Sequence, residues 1–224
     1  MSTGDRQRWD ARHAAAGPGR PAPPAVLSGA AELVACFPAT GRALDVACGR
    51  GGVAVWLARR GLAVDAVDIS SAGLTAGARL AAEHGVGERI RWIAHDLDHG
   101  LPTGCGGRYD VVVCQLFRDP ARYPDLAAAL VPGGLLAVTV LSEVGAEPGP
   151  FRAPAGELRA AFSGLEVLLD RESDGEATLL ARSRPPVPPG EMRPGDRRRL
   201  LRSSVGPRSH PPVPGTPRGP RPPT

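Results

Sequence analysis

Apolar residues in the middle of the chain follow two patterns that alternate along the sequence. Short, nearly continuous runs occupy residues 42–47, 62–69, 89–94, 109–115 and 135–141. Runs of this length, bounded by glycine and polar residues, are typical of strands that are covered on both faces. Between them lie segments with helical spacing, such as 51–61, in which Val53, Trp56 and Leu57 share one face.

Capping signals mark the limits of the predicted helices. Gly61 and Gly85 follow the last apolar residues of two helices, and Ser70 or Ser71 supplies the N-cap of the second. Two further helices are predicted near residues 123–130 and 154–162, and two strands at 165–170 and 177–182 are joined by the hairpin turn "RESDGE".

Strands that alternate with helices along a chain specify a parallel sheet with helices on both faces. The predicted fold is therefore α/β: a doubly wound, Rossmann-like sheet of seven strands, mostly parallel, with an antiparallel strand from the C-terminal hairpin. Ligands of such sheets bind beyond the carboxyl ends of the strands, near the point where the strand order reverses. Polar residues at those ends are the first candidates for a site.

The C-terminal part of the chain differs in composition from the rest. Residues 184–224 contain 13 of the 25 prolines and 9 of the 27 arginines. Because proline lacks a backbone donor and few apolar residues are present to be buried, this segment is predicted to be a disordered tail. We interpret it as an unselected extension; an arginine-rich arm for acidic partners, or an SH3-type ligand, is the functional alternative. The folded domain is predicted to span residues 1–183.

Charge separates the same two parts. The tail has 9 arginines against Glu191 and Asp196, a net charge of +7, whereas residues 1–183 have 18 arginines against 21 acids, a net charge of −3. The domain therefore lacks the basic surface of a nucleic-acid-binding protein. No apolar run approaches the roughly 18 residues of a membrane span, and the N-terminus lacks the apolar core of a signal peptide. Since the four cysteines have no C-x-x-C spacing, a cytoplasmic protein with reduced thiols and no membrane association is predicted.

The sequence "LDVACGRGG" at residues 44–52 places an acid in an apolar strand, directly before a glycine loop. A phosphate-binding P-loop is excluded because the chain contains no lysine. A dinucleotide fingerprint G-x-G-x-x-[GA] fits Gly49, Gly51 and Ala54, and Asp68 follows 19 residues after Gly49. An NAD-dependent oxidoreductase is therefore one alternative.

Three features favour a different ligand. Asp45 lies inside the first strand, where an ionised carboxylate is costly unless loop amides or a ligand ammonium bind it. The third strand ends in "AHDLD", which places Asp96 at another carboxyl end. The sheet is also predicted to finish with an antiparallel hairpin after five parallel strands.

These motifs resemble those of class I S-adenosylmethionine-dependent methyltransferases. "LDVACGRGG" resembles the first motif of that family, "VDAVDIS" its second-strand acid, "AHDLD" its adenine-contacting acid, "YDVVVCQ" its fourth strand and "LVPGGLLAV" the turn into its fifth strand. The five motifs cover about residues 40–141 in the family's order. The N-terminal "RWDARHAA" is similar to the Trp-Asp-x-Arg segment of the small-molecule subgroup that includes tellurite-resistance and thiopurine methyltransferases.

The resemblance implies that S-adenosylmethionine is the cofactor, and it assigns roles to the matching residues. Asp68 accepts both ribose hydroxyls, and Asp96 accepts from the adenine amine while the backbone of Leu97 serves a ring nitrogen. Gly49 and Gly51 let the backbone approach the cofactor, because a Cβ atom at either position would collide with it. For Asp68, an acid that merely favours the start of the following helix is the alternative.

Further residues are assigned to the cofactor by the same resemblance. Asp45 orients the loop and favours the ammonium end. The remaining candidates come from the N-terminal helix, the glycine loop and the ends of the second and fourth strands: Trp9, Arg12, Ala47, Cys48, Ile69, Cys114 and Gln115. Residues 1–40 then form a helical lid over a Rossmann-like core of residues 41–183. An ordinary surface helix is the alternative for Trp9 and Arg12, and a buried apolar residue is the alternative for Cys114.

The expected reaction is methyl transfer by in-line displacement to a small-molecule acceptor. The Asn-Pro-Pro-Tyr-type signature of amino-methylating nucleic-acid enzymes is missing after the fourth strand. Arg118, Asp119 and Tyr123 follow that strand and are expected to line the acceptor pocket. No catalytic residue, metal or oligomeric state is assigned, although an oxygen acceptor would need a base, for which His13 and Asp119 are the candidates. A non-catalytic cofactor-binding protein with an interaction tail is the second alternative.

Overall fold

The computed structural model describes residues 3–105 and 109–185, and this part of the chain contains seven strands and five α-helices. The strands are β1 (Arg42–Val46), β2 (Ala63–Asp68), β3 (Ile90–Ala94), β4 (Tyr109–Gln115), β5 (Leu130–Leu141), β6 (Glu166–Ser173) and β7 (Glu176–Arg182). The α-helices are α1 (Thr3–Ala15), α2 (Gly52–Arg59), α3 (Ser71–Glu83), α4 (Tyr123–Ala128) and α5 (Glu157–Ala161). Residues 186–224 of the predicted tail lie outside the described residues.

The seven strands form one sheet in the order β3-β2-β1-β4-β5-β7-β6. The strands β1 to β5 pair in parallel, whereas β7 is antiparallel to both β5 and β6. The chain builds outward from β1 to β3 and then returns to place β4 on the other side of β1, so the strand order reverses between β1 and β4. The predicted fold class, including the antiparallel hairpin strand, is confirmed.

Local chemistry explains where several elements begin and end. The hydroxyl of Ser70 accepts a hydrogen bond from the amide of Gly73 at 3.0 Å, so Ser70 is the N-cap of α3. In the turn between β6 and β7, Asp174 and Gly175 both have positive φ, 53° and 80°. Two residues in this conformation match the right-handed twist of the flanking strands, which is why the sequence Asp-Gly predicts a tight hairpin.

Two predicted boundaries differ from the structure. The last parallel strand begins at Leu130 rather than at 135, because Leu130 already pairs with Tyr109 and a register shift follows before Val111. The predicted helix over 154–162 is limited to α5, because Gly156 has φ of 75° and a left-handed residue cannot lie inside a right-handed helix.

Apolar side chains cover both faces of the sheet in two layers. The N-terminal segment contributes to one of them, since Val26, Leu27 and Phe37 are buried against α2 and the central strands. These three residues fix the segment 25–37 to the core. Within the described residues before β1, α1 is the one α-helix of the predicted lid. No helix in the described part of the chain combines the length and the hydropathy needed to cross a membrane.

A polar cluster lies near the starts of the strands, away from the carboxyl ends that carry the motifs. Asp65, which is buried, accepts hydrogen bonds from Arg91 at 2.8 and 2.9 Å, from Arg42 at 3.0 Å and from the hydroxyl of Tyr109 at 2.6 Å. Burial alone would raise the pKa of Asp65, but these hydrogen bonds outweigh it and hold the pKa below its usual value. The cluster joins the starts of β1, β3 and β4 to β2 and has a structural role.

Candidate active site

A cavity of about 430 Å³ lies at the carboxyl ends of β1, β2, β4 and β5, where the strand order reverses. Its wall is formed by Trp9, Arg12, His13, Ala47, Gly49, Asp68, Ile69, Leu97, Gln115, Leu116, Phe117 and Leu141. The structure thus brings together eight of the thirteen predicted cofactor-binding residues. The five that do not line the cavity are Asp45, Cys48, Gly51, Asp96 and Cys114.

Asp68 ends β2 and fixes the glycine loop from the floor of the cavity. Its Oδ2 accepts from the amide of Gly49 and its Oδ1 from the amide of Ser70, both at 2.8 Å. A carboxylate offers about four acceptor positions, so each oxygen keeps one for a ligand. The side chain is therefore locked in orientation by the backbone while it still presents two acceptors to a diol.

Asp45 lies beneath the glycine loop rather than in the cavity wall. It is 3% exposed, and its Oδ2 is buried with no hydrogen-bond partner in the described part of the chain. Burial raises the pKa of Asp45 to about 8; a hydrogen bond from the amide of Ala54 opposes this, and the charge of Asp68 adds to it. Of the three acids that the resemblance assigns to the cofactor, Asp68 alone lies in the cavity wall.

The two glycines expected to approach the cofactor have different reasons to be glycine. Both have positive φ, 55° at Gly49 and 71° at Gly51. A Cβ atom at Gly49 would lie 3.3 Å from the ring of His13, at the cavity wall. A Cβ atom at Gly51 would instead lie 2.4 Å from the ring of Trp92 on β3, away from the cavity. Gly51 therefore has a structural reason to be glycine, because it allows the loop to pack on Trp92, beside the cofactor role that the resemblance assigns to it.

The end of the cavity next to β2 and β3 is apolar. Ile69 and Leu97 line it, at 5% and 3% exposed. Asp96 precedes Leu97 at the start of a short 3₁₀ turn, and its Oδ1 accepts from the amide of Asp98 at 3.0 Å. Asp96 therefore shapes the turn that presents Leu97 to the cavity and lies beside this end without lining it.

Helix α1 covers the cavity and is anchored to α3 by Asp10. The Oδ1 atom of Asp10 accepts from the hydroxyl of Ser70 at 2.6 Å and from the amide of Ala72 at 3.0 Å. These hydrogen bonds hold the pKa of Asp10 below its usual value. The residue was not among the predicted site residues, because a contact between positions 62 residues apart leaves no local signal in the sequence.

The face of α1 that meets the cavity carries three side chains that contact one another. The rings of Trp9 and His13 stack at 5.8 Å, and the guanidinium of Arg12 lies 5.2 Å from the centre of the Trp9 ring. Burial lowers the pKa of His13, and the nearby charge of Asp68 partly opposes this. His13 is therefore suited to be neutral near pH 7, with a ring nitrogen that can accept a proton.

The other end of the cavity is formed by Leu116, Phe117 and Leu141, none of which was predicted. Leu116 is 63% exposed and has φ of 56°, a left-handed conformation that is costly for a residue with a branched side chain. Leu141 is 37% exposed at the end of β5. Their position directly after β4 and at the end of β5 was the available signal, because that is where such sheets bind ligands.

Three predicted residues at the glycine loop and the end of β4 have structural partners. The Oε1 atom of Gln115 accepts from the amide of Ala25, so this cavity-lining side chain also ties the N-terminal segment to β4. The thiol of Cys114 is buried and donates to the carbonyl of Phe117 at 3.5 Å. Burial raises the pKa of Cys114 to about 12 and that of Cys48 well above its usual value, so neither thiol is a nucleophile near neutral pH.

The residues expected to line an acceptor pocket form a separate cluster instead. Glu157 of α5 accepts from Arg118 at 2.9 Å and from the hydroxyl of Tyr123 at 2.7 Å. Asp119 caps the turn before α4, accepting from the amide of Ala121 at 2.9 Å. This cluster holds the segment after β4 against α5 and thereby supports Phe117, but none of the three predicted residues lines the cavity.

The donor and acceptor groups of the cavity fit S-adenosylmethionine. Asp68 would hold the ribose hydroxyls, and Ile69 and Leu97 would enclose the adenine. Gly49 has no Cβ atom, so the protein backbone at this position can approach the ligand closely. Asp45 lies beneath the loop with its pKa raised to about 8, so near neutral pH it adds no negative charge to this wall. This fold and this cavity are those of a Rossmann-like methyltransferase domain of class I.

Comparison with known proteins agrees. Residues 43–134, about two-fifths of the chain, match the family model described as a methyltransferase domain, and this domain is of the class I S-adenosylmethionine-dependent type. It is similar to the ribosomal RNA small subunit methyltransferase C of Alcanivorax borkumensis, 34% identical over 106 residues, which are 43% of this chain and 31% of that protein. It is also similar to the ubiquinone biosynthesis O-methyltransferase of Psychrobacter cryohalolentis, 32% identical over 112 residues, or 48% of this chain and 42% of that protein.

A solved structure shows the same fold. TehB from Haemophilus influenzae superposes with a TM-score of 0.58 at 19% sequence identity, covering 71% of this chain and 61% of TehB. The chain matches only about a quarter to two-fifths of the length of the curated relatives. S-adenosylmethionine is the cofactor of the family. The names of these relatives refer to ribosomal RNA, to ribosomal protein L11 and to ubiquinone biosynthesis.

Proposed function

We propose that the protein is a cytoplasmic enzyme that transfers the methyl group of S-adenosylmethionine to a small, apolar acceptor molecule. One observation carries the proposal: a single cavity joins a polar end at Asp68 and Gly49, which suits the cofactor, to an apolar end at Leu116, Phe117 and Leu141. Its volume of about 430 Å³ lies in the range of small-molecule sites, about 300–1,000 Å³. The cytoplasmic location is supported by the four cysteines, all of which are free thiols.

The bound cofactor supplies a methyl group on a positively charged sulfur, which is already activated for attack. The protein has to hold the acceptor in line with that methyl group, at about 3–3.5 Å, and to exclude water. Asp68 and the glycine loop fix the cofactor at one end, and α1, anchored by Asp10, covers both partners. The apolar end would bind the acceptor by burying its hydrocarbon surface against Leu116 and Leu141.

The titratable groups of the wall limit the chemistry. Asp68 is engaged by the loop amides, and Asp119 does not line the cavity, so His13 is the base available to an acceptor that must lose a proton. Its lowered pKa keeps the imidazole neutral and able to accept. An acceptor that is ionised in solution would need no base from the protein, and His13 would then only help Trp9 to cover the cofactor.

Two features favour a small molecule over the RNA and protein substrates named for relatives. Residues 1–183 have a net charge of −3, which opposes association with an RNA backbone. The entrance beside Leu116 is formed by apolar side chains under a covering helix, and such a closed, apolar site suits a ligand that can be enclosed. Together they support an apolar small molecule.

The proposal is tested by calorimetric titration of S-adenosylmethionine into the wild type and into Asp68→Ala. Loss of a charge-assisted contact costs about 1.5–3 kcal/mol, so affinity should fall by roughly ten- to a hundred-fold. Asp170→Ala is the matched control, because Asp170 is a partly exposed acid on β6 with one long contact to Arg159 at 3.8 Å. It should bind like the wild type.

Turnover is then measured with a panel of apolar thiol, phenol and amine acceptors. Binding of NADH without binding of S-adenosylmethionine would replace the methyltransferase with an oxidoreductase. Tight cofactor binding with no methylated product across the panel would instead favour a non-catalytic cofactor-binding protein.

A further inference from the structure

A second cavity, of about 510 Å³, lies between the end of α1 and the first turns of α3. Two guanidinium groups reach it, from Arg50 in the glycine loop and from Arg79 on α3, together with the ring of His13. Ser71 and Thr75 add hydroxyl groups. No acid is among the described residues that line it.

The two arginines differ in exposure: Arg79 is exposed on α3, whereas Arg50 is partly buried in the glycine loop. Neither Arg50 nor Arg79 forms an ion pair or a side-chain hydrogen bond within the described part of the chain, and the Nε atom of Arg50 is buried without any partner there. Buried polar groups are almost always hydrogen-bonded in folded proteins. Guanidinium groups match the geometry and charge of oxyanions, which they bind through paired hydrogen bonds.

We propose that this cavity binds a small oxyanion, a phosphate ion or the phosphoryl group of a small molecule, and that its occupancy is coupled through α1 to cofactor binding. The site is distinct from the cofactor cavity, with which it shares only the wall formed by His13. Arg50, Arg79 and the hydroxyl of Ser71 supply the donors.

The ligand is separate from the methyl acceptor. The apolar end of the first cavity is at Leu141 on β5, whereas the second cavity adjoins the helix that follows β2. Three strand spacings of roughly 4.8 Å separate β2 from β5 in the sheet, about 14 Å. A phosphoryl group that belonged to the acceptor would have to reach past the bound cofactor, so an independent oxyanion is the fitting occupant.

The coupling follows from the position of α1. This helix contributes Trp9, Arg12 and His13 to the wall of the cofactor cavity, and the end of the same helix forms one side of the second cavity. Asp10 holds α1 against the start of α3. An oxyanion held by Arg50 and Arg79 contacts α1 through the ring of His13, which lines both cavities, and thereby favours the docked helix, which closes the cofactor cavity. Binding of either ligand must then strengthen binding of the other by the same factor. This part rests on the proposed cofactor site.

The test begins with calorimetric titration of inorganic phosphate, and in a second arm of glycerol phosphate, at constant ionic strength set with sodium chloride. Saturable binding is expected, weakened about tenfold or more by Arg79→Gln. Arg59→Gln is the control, because Arg59 is an exposed arginine on α2 that lines neither cavity. Thr75→Glu, at an exposed position of α3, places a carboxylate among the arginines and should abolish phosphate binding without affecting the fold.

The two arms identify the source of the oxyanion. Tighter binding of phosphate than of the ester indicates a free ion, and the reverse indicates a phosphoryl-bearing molecule. The site is overturned if binding does not saturate, if sodium chloride alone reproduces it, or if Arg59→Gln weakens it as much as Arg79→Gln does.

The coupling is tested by titrating S-adenosylhomocysteine with and without saturating phosphate. An increase in affinity of about fivefold or more is expected in the wild type and should vanish in Arg79→Gln. Equal affinities in the wild type would overturn the coupling. Failure of S-adenosylhomocysteine to bind under either condition would reject the proposed function, whereas the phosphate titration decides the oxyanion site by itself.

Discussion

We expect the conformation of Leu116 to lower the free energy of unfolding and its side chain to contribute to acceptor binding. Leu116→Gly therefore tests the proposed acceptor site. The residue has φ of 56°, and a left-handed conformation costs an L-residue about 1–2 kcal/mol. Glycine adopts this conformation without strain but loses roughly 0.5–1 kcal/mol more backbone entropy on folding. Since Leu116 is 63% exposed, little buried surface is lost with its side chain. The substitution is expected to raise the free energy of unfolding by about 1 kcal/mol.

The same change should weaken the acceptor site. Complete burial of a leucine side chain is worth about 1.5–3 kcal/mol. Because 63% of Leu116 is open to solvent, an apolar acceptor that covers it would gain about 1–2 kcal/mol of this. The kcat/KM for such an acceptor should therefore fall by roughly 5- to 30-fold in Leu116→Gly.

Thermal unfolding and steady-state kinetics on the same preparations separate the two effects. A gain of about 1 kcal/mol corresponds to roughly 2–4 °C in Tm for a chain of this size. Leu116→Ala is the matched control, because it removes the side chain but keeps the left-handed Cβ; it should lose activity without the gain in Tm. Asp174→Gly relieves the same conformation in the β6–β7 turn, at a residue that does not line the cavity, and should leave kcat/KM unchanged.

The reasoning is refuted if Leu116→Gly and Leu116→Ala have equal Tm values, because the left-handed backbone would then store no strain. It is also refuted if both variants turn over apolar acceptors as fast as the wild type. In that case Leu116 would not contact the acceptor, and the acceptor would have to bind elsewhere in the cavity.

Two further predictions concern the glycine loop. The pKa of Asp45, raised to about 8 in the folded state against about 3.9 in unfolded chains, makes its neutral form a source of stability that is lost progressively as pH rises from about 4 to about 8. Asp45→Asn, which stays neutral, should therefore gain in Tm relative to the wild type as pH rises from about 5 to about 8; a constant difference over this range would contradict the raised pKa. Gly51→Ala should lower Tm strongly, since its Cβ would meet Trp92 at 2.4 Å, whereas Gly49→Ala should chiefly weaken binding of S-adenosylhomocysteine at the cavity wall. If both variants showed the same ratio of stability loss to affinity loss, the separate roles of the two glycines would be wrong.

Local patterns in the sequence were sufficient for the order and type of the strands and for the central motifs. The period of apolar residues, the caps at Ser70 and Gly85, and the Asp-Gly turn at 174–175 each depend on residues a few positions apart. The place of Asp68 at the carboxyl end of β2 follows from the same reasoning. Such features are visible in a sequence because they are set by the covalent geometry and by neighbours along the chain.

The finer assignments within the loop show where this reasoning stops. Gly49 and Gly51 look alike in a glycine motif, yet the second is a glycine because of Trp92, 41 residues further on. Asp45, Asp68 and Asp96 all lie within two residues of a strand end. Only Asp68 reaches the cavity wall, because Asp45 points under the loop to the amide of Ala54 and Asp96 lies in the turn after β3. Neighbouring strand ends can thus be predicted, whereas the direction of each side chain depends on its packing.

The sequence by itself determined an α/β sheet with its strand types, a glycine loop after β1 and the acid that ends β2, since each is set by short-range preferences. Only the tertiary structure decided that Asp10 fastens α1 over the cavity, that Arg118 turns to Glu157 rather than to a ligand, and that Leu116 forms an apolar entrance in a strained conformation. Each of these depends on residues distant in the chain that become neighbours when the sheet assembles. Neither the spacing of apolar residues nor a helix cap indicates such a contact, because the contact forms and contributes free energy only in the folded protein.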